Sequence, residues 1–123
     1  MNLPDIKLDA AIAMDVMGWE RGSISTAHEH NPGLDVWKVG DGQAFAVKSY
    51  VSNWHPSSDV AQALRVVDGL VEQGYEITMR VAPDEESCVI LDSGGTEPHT
   101  VATYGETLPL AICRTALKAM KAT

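Results

Sequence analysis

The sequence predicts an α+β domain in three α-β-α layers, with three helices and a small mixed or antiparallel sheet of about three to five strands. Three observations predict it. Apolar residues recur at helical spacing in residues 6–17, 60–71 and 108–120. Tyr75, Ile77, Met79 and Val81 alternate with Glu76, Thr78 and Arg80, the period of a strand with one buried face. Strand-like segments alternate with these helices along the chain, so helices can cover a sheet on both sides. A length of 123 residues suits one domain, 1–123, with a core that needs no staples.

In order, the first helix carries Leu8, Ile12 and Val16 on one face. Asp5 can cap its start, and Gly18 can stop it in a left-handed turn. Residues 21–33 lack periodicity and read as a loop. Residues 36–39 and 44–50 are short strand candidates on either side of Gly40-Asp41-Gly42. In the second helix Val60, Leu64, Val67 and Val71 form a stripe, widened by Ala63 and Leu70, that reads as the core face. Ser57 or Ser58 can accept its first N–H groups, Asp59 suits its dipole, and Gly74 ends it.

The strand at 75–81 pairs with 88–91 as a hairpin across the turn Pro83-Asp84-Glu85-Glu86. Cys88, Val89, Ile90 and Leu91 are apolar in succession, which predicts a strand covered on both faces. Residues 99–104 read as a third strand. The last helix can be capped by Thr107, tolerates Pro109 in its first turn, and ends on Lys118 and Lys121.

The formal net charge is -8, which argues against bulk attraction to nucleic acid or anionic lipid. No apolar run is long enough to span a membrane and no secretion signal is visible, so the chain reads as cytoplasmic. Cys88 and Cys113 fit no metal or redox spacing and read as small core hydrophobes, with a disulfide between them left open.

His28-Glu29-His30 is the most metal-like group, and His55 or His99 can join it. A metal site needs three or four ligands in fixed geometry, so a solvated loop is expected and no metal or cofactor is assigned. His55, Ser57, Ser58 and Asp59 hold the residue types of a hydrolytic triad but lie too close together, with no nucleophile elbow. Cys88 with His99 fails as a thiol site because an apolar strand disfavours the thiolate. Asp84, Glu85 and Glu86 form either a solvated tip or an acidic knob facing a partner. Arg114, Lys118 and Lys121 make a basic stripe too sparse for nucleic acid. Of the three tryptophans, Trp37 is the one whose exposure would mark a binding surface.

Three segments occur in a telling order. They are Leu8-Asp9-Ala10-Ala11 leading to Val16-Met17-Gly18-Trp19, then Trp54-His55-Pro56-Ser57-Ser58-Asp59-Val60-Ala61-Gln62-Ala63, then Leu108-Pro109-Leu110-Ala111-Ile112-Cys113-Arg114-Thr115-Ala116-Leu117. Together they resemble the phage ABA sandwich domain family, small proteins of tailed phages and prophages with an α-β-α fold and no established general activity. The resemblance implies a phage or prophage origin and supplies no catalytic residues. Physically, Met17 and Trp19 can pin the exit of the first helix, and Leu110, Ile112, Cys113, Ala116 and Leu117 can bury the third. Arg114 is expected to pair with an acidic group across the fold.

The functional expectation is a non-enzymatic accessory protein that binds a protein partner, such as a host-defence component. Trp37, the 84–86 knob and Arg114 are the candidate contacts. The alternative is a small-ligand, nucleotide-like binding protein, with pocket residues in 21–42 and Arg114 as an anion contact. A metal-dependent enzyme through His28 and His30 comes last. Homodimerisation through a sheet edge is compatible with all three.

Overall fold

Asp5 opens the first helix, α1 (Ile6–Ala11), by accepting the Leu8 N–H on its Oδ1 at 3.0 Å. The computed structural model describes residues 5–24, 34–39, 46–81, 85–93 and 100–121. After α1 the helix widens into a π turn (Ile12–Val16), where the Met17 N–H reaches the Ile12 carbonyl at 3.0 Å. Gly18 then reverses the chain at φ +71, which a side chain would resist. The helix expected over 6–17 is therefore present, with a widened C-terminal half.

Three strands follow, β1 (Glu20–Ile24), β2 (Leu34–Val39) and β3 (Ala46–Tyr50), paired antiparallel in that order. β1 corrects the expected loop at its start. Glu20-Arg21-Gly22-Ser23 has no hydrophobic alternation, and the ladder from Glu20↔Lys38 to Ile24↔Leu34 is what holds it extended. Neighbours Val36 and Trp37 on β2 point to opposite faces, and both are buried.

The second sheet is another antiparallel meander, β4 (Tyr75–Arg80), β5 (Ser87–Ser93) and β6 (Thr100–Gly105). The expected hairpin is there, with Ile77 opposite Leu91 and Met79 opposite Val89. On β5, Ser87, Val89 and Leu91 are buried while Cys88 and Ile90 are half-buried. The strand expected to be covered on both faces is thus covered on one, and β2 is the doubly covered strand. Strand registers pair Cys88 with Arg80 and Tyr104, and Ile90 with Thr78 and Ala102, so the outward face is semi-polar.

Between the sheets in sequence runs α2 (Val60–Glu72), and α3 (Leu108–Lys121) closes the fold. The cap of α2 is Asp59, whose Oδ1 accepts the Gln62 N–H at 3.1 Å, and not Ser57 or Ser58. Ser57 is buried and engaged elsewhere, and the Ser58 hydroxyl donates to the His55 carbonyl at 3.3 Å. The core face of α2 is also rotated from expectation. Ala63, Val66 and Leu70 are buried, whereas Val60, Leu64 and Val71 are exposed at 51%, 42% and 54%. The helix carries two apolar stripes roughly 100° apart, and α3 packs on the one with the small Ala63. Gly74, at φ +100, turns the chain into β4.

In α3 the Thr107 hydroxyl accepts from the Leu110 N–H at 3.4 Å. Ile112, Cys113, Ala116 and Ala119 face inward, and the helix packs on β5 and β6. Thr115, fully buried, donates to the Ala111 carbonyl at 2.8 Å and sits beside the Thr103 hydroxyl of β6. The class is therefore α+β and sandwich-like, with the strands divided between two three-stranded sheets. One cluster of buried side chains, including Ile12, Trp37, Leu70, Leu91 and Ile112, joins both sheets to the helices. No described helix is long and apolar enough to cross a membrane.

Candidate functional site

The candidates singled out from sequence scatter. His28, His30, His99 and Asp84 lie outside the described residues. Among the described residues, no three His, Cys, Asp or Glu side chains gather as a metal-ligand set. Glu85 and Glu86 are exposed. Trp37 is only 2% exposed and joins the core cluster, which corrects its reading as a surface contact: β2 is central in its sheet, and the indole faces inward. Arg114 is exposed, its guanidinium donates to the Tyr104 carbonyl at 3.2 Å, and among the described residues it pairs with no acid. Both cysteines are free. Burial pushes the Cys113 thiol far up, with the negative charges of Asp9 and Asp5 adding to it.

A seam that sequence reasoning did not single out joins α1 to the segment before α2. Asp9 is 3% exposed. Its Oδ1 accepts the Ser57 N–H at 2.8 Å, and its carbonyl accepts the Trp54 indole N–H at 3.1 Å. Ser57 in turn accepts the Asp5 N–H on its hydroxyl at 2.9 Å. Burial raises the Asp9 carboxyl, while hydrogen bonds from Ser57 and the nearby His55 pull it back. Residue types of a hydrolytic triad do meet here, but the serine is buried and spends its groups on the seam. Nδ1 of His55 is buried with no partner among the described residues. A mostly apolar cavity of about 280 Å³ lies alongside, lined by Ile6, Ala10, Arg21, Trp37, Trp54 and His55.

Trp54 also leads to a second, larger cavity. Its ring lies 4.6 Å from that of Trp19, centroid to centroid, at 58°. The Arg65 guanidinium sits over both, 5.6 Å from the Trp19 centroid and 5.5 Å from that of Trp54. Trp19 and Arg65 wall a cleft of about 580 Å³, together with Val16, Met17, Lys48 and Gly69. That volume lies within the usual range for small-ligand sites, roughly 300–1,000 Å³.

Three departures from regular structure converge on this cleft. Val16 and Met17 come from the end of the π turn, a feature common at functional sites. Lys48 is the extra residue of a β-bulge, because the ladder steps from Trp37↔Ser49 to Lys38↔Val47. Bulges re-aim side chains. Gly69 sits inside α2, where glycine costs about 1 kcal/mol relative to alanine. A Cβ there would come to 3.4 Å from the Met17 Sδ, so its absence leaves room in the wall. The Gln73 amide, also on the wall, donates to the Val16 carbonyl at 3.1 Å and fixes α2 to the π turn. Neither Arg65 nor Lys48 stood out in the sequence. The interior glycine of an otherwise well-formed helix was the available signal.

Compared with known proteins, the chain matches one family model, described as the phage ABA sandwich domain, over residues 10–117. No curated protein and no solved structure matches.

Proposed function

The chain belongs to the phage ABA sandwich domain family, and from that premise we propose that it is a non-enzymatic phage or prophage accessory protein that captures a small ligand in the Trp19–Arg65 cleft. The observation that carries this reading is the convergence of a π turn, a bulged lysine and an interior helical glycine on one concavity. Each costs regularity, and the bulged lysine and the glycine add no side chain to the core. The non-catalytic part is supported by the fate of two nucleophiles: Cys113 is buried with its thiol pushed far up, and Ser57 is buried in the seam. We place its action in the host cytoplasm, in keeping with the acidic charge.

The test is a thermal-shift panel of metabolites and nucleotides on the full chain. A ligand at about 100 times its Kd adds about 2.7 kcal/mol, a shift that is easily read. Gly69→Met, which fills the cleft from its wall, should abolish the response. A panel with no hit, or hits unchanged by Gly69→Met, would refute the reading.

A second reading, a protein partner such as a host-defence component, is favoured by one observation. Val60, Leu64 and Val71 of α2 are exposed, as are Met79 and Val81 at the end of the adjoining strand. These apolar residues could be covered by a partner. Affinity capture from lysate of the natural host, repeated with Leu64→Glu, tests it: a stoichiometric protein retained by the wild type and lost by the variant is the expected result. Capture unaffected by the variant would rule this surface out.

A further inference from the structure

We infer that the ligand of this cleft is a small phosphate monoester, its phosphate held between Arg65 and Lys48. The inference rests on the small-ligand reading and adds the chemistry. Arg65 is the central observation. The guanidinium is held over the Trp19 and Trp54 rings by cation–π attraction, a contact that needs no hydrogen-bond acceptor. Among the described residues, neither Arg65 nor Lys48 makes a hydrogen bond or an ion pair. This is notable in a chain of net charge -8. Asp68 stands three residues after Arg65, a spacing at which a helical ion pair forms, yet no such pair is made.

The two indoles thus hold a cation in place with its donors unspent. The bulge delivers a second cation to the same cleft. A planar fork of donors beside a mobile ammonium matches a tetrahedral oxyanion, and it matches phosphate better than a single carboxylate because three oxygens are available. The remaining charged group of the lining, Glu72, lies seven residues along α2 from Arg65, about 10 Å along the axis. It would repel the phosphate from that end and accept hydrogen bonds from hydroxyl groups. An anion at one end and hydroxyl donors at the other describe a phosphorylated sugar or nucleoside. The apolar floor of Val16, Met17 and Trp19 suits the less polar part of such a molecule.

The experiment is calorimetric titration of the full chain with adenosine 5′-monophosphate, ribose 5-phosphate and adenosine, with intrinsic tryptophan fluorescence as a second readout. The expected result is saturable binding of at least one phosphate ester, with adenosine at least about tenfold weaker. Arg65→Gln and Lys48→Ala should each weaken the ester by about tenfold or more, the loss of one charge-assisted contact. Lys48 lies on β3 and is no part of the Trp19–Trp54–Arg65 ring contacts, so Lys48→Ala stays informative if Arg65→Gln disturbs the tryptophans. Adenosine binding as tightly as its monophosphate, or ester binding unchanged in both variants, overturns the phosphate assignment. Binding of neither ester overturns it too. The small-ligand reading survives any of these results if another panel compound stabilises the wild type and not Gly69→Met, so the two failures are distinguishable.

Discussion

Asp9 fastens α1 to the segment before α2, and its replacement by alanine should cost about 2 kcal/mol. The figure follows from the bond it makes: a hydrogen bond to a charged group contributes about 1.5–3 kcal/mol, and the donor left behind, the Ser57 N–H, is buried. Burial already disfavours the carboxylate, which places the expected cost below the top of that range. Asp9→Asn keeps an oxygen for the Ser57 N–H and removes the charge, so it should stay within about 1 kcal/mol of wild type. Urea unfolding followed by tryptophan fluorescence reads both variants, since the Trp54 indole is bonded to the same residue. With a slope of about 1–3 kcal/mol per molar urea, the alanine variant should lose about 1 M in midpoint.

The pH dependence is a second arm of the same prediction. Asp9 is raised above its ordinary value of 3.8 in the folded protein, so the folded state binds its proton first as the pH falls. The part of its contribution that comes from this extra proton affinity is fully present below 3.8 and is lost as the pH rises through the folded value, while the bond to Ser57 remains. Wild type should therefore gain on Asp9→Asn as the pH falls from neutral toward about 4. An alanine variant as stable as wild type, an asparagine variant as weak as alanine, or a pH-independent difference would refute the reasoning.

Other outcomes follow from the packing. Leu70→Ala should cost about 2–5 kcal/mol and Leu64→Ala less than about 1, because only the first is buried; equal costs in chemical denaturation would mean the core face of α2 is misassigned. Gly74→Ala should destabilise by about 1 kcal/mol at its positive φ, whereas Gly69→Ala should stabilise by up to about 1 kcal/mol, both read as thermal midpoints. In thiol titration of the native protein Cys88 should react and Cys113 should not, while denaturant exposes both; two fast native thiols would contradict the burial of α3.

What was legible in the sequence follows the range of the forces involved. The β4–β5 hairpin was readable because Tyr75, Ile77 and Met79 alternate and the partner strand is a turn away. The start of α2 was readable as a position but not as a cap, since Ser57, Ser58 and Asp59 all favour that role and the two serine hydroxyls are spent on the Asp5 N–H and the His55 carbonyl. The face of α2 was misread because Val60, Leu64 and Val71 are as apolar as the residues that α3 covers. Nothing within β1 announces a strand, for its structure comes from pairing with β2. The cleft was hidden for a similar reason. Arg65 looks like one more surface charge until Trp19 and Trp54, 35 residues apart in the chain, are brought together beneath it.

The meander order of both sheets bears on how the chain folds. Each ladder joins strands that follow one another in sequence, so the loops it closes are short. The bonds that fasten α1 and the π turn reach 45, 48 and 57 residues along the chain. Closing such loops costs more entropy, which sets docking of the N-terminal helix after formation of the ladders. Loss of the Asp9 bonds then appears in the unfolding rate and leaves the folding rate nearly unchanged. The same order makes the N-terminal segment the first to detach in partial openings of the native protein. Val16, Met17 and Trp19 leave with it, so a bound ligand would be released by a local unfolding event and would, by mass action, hold that segment in place.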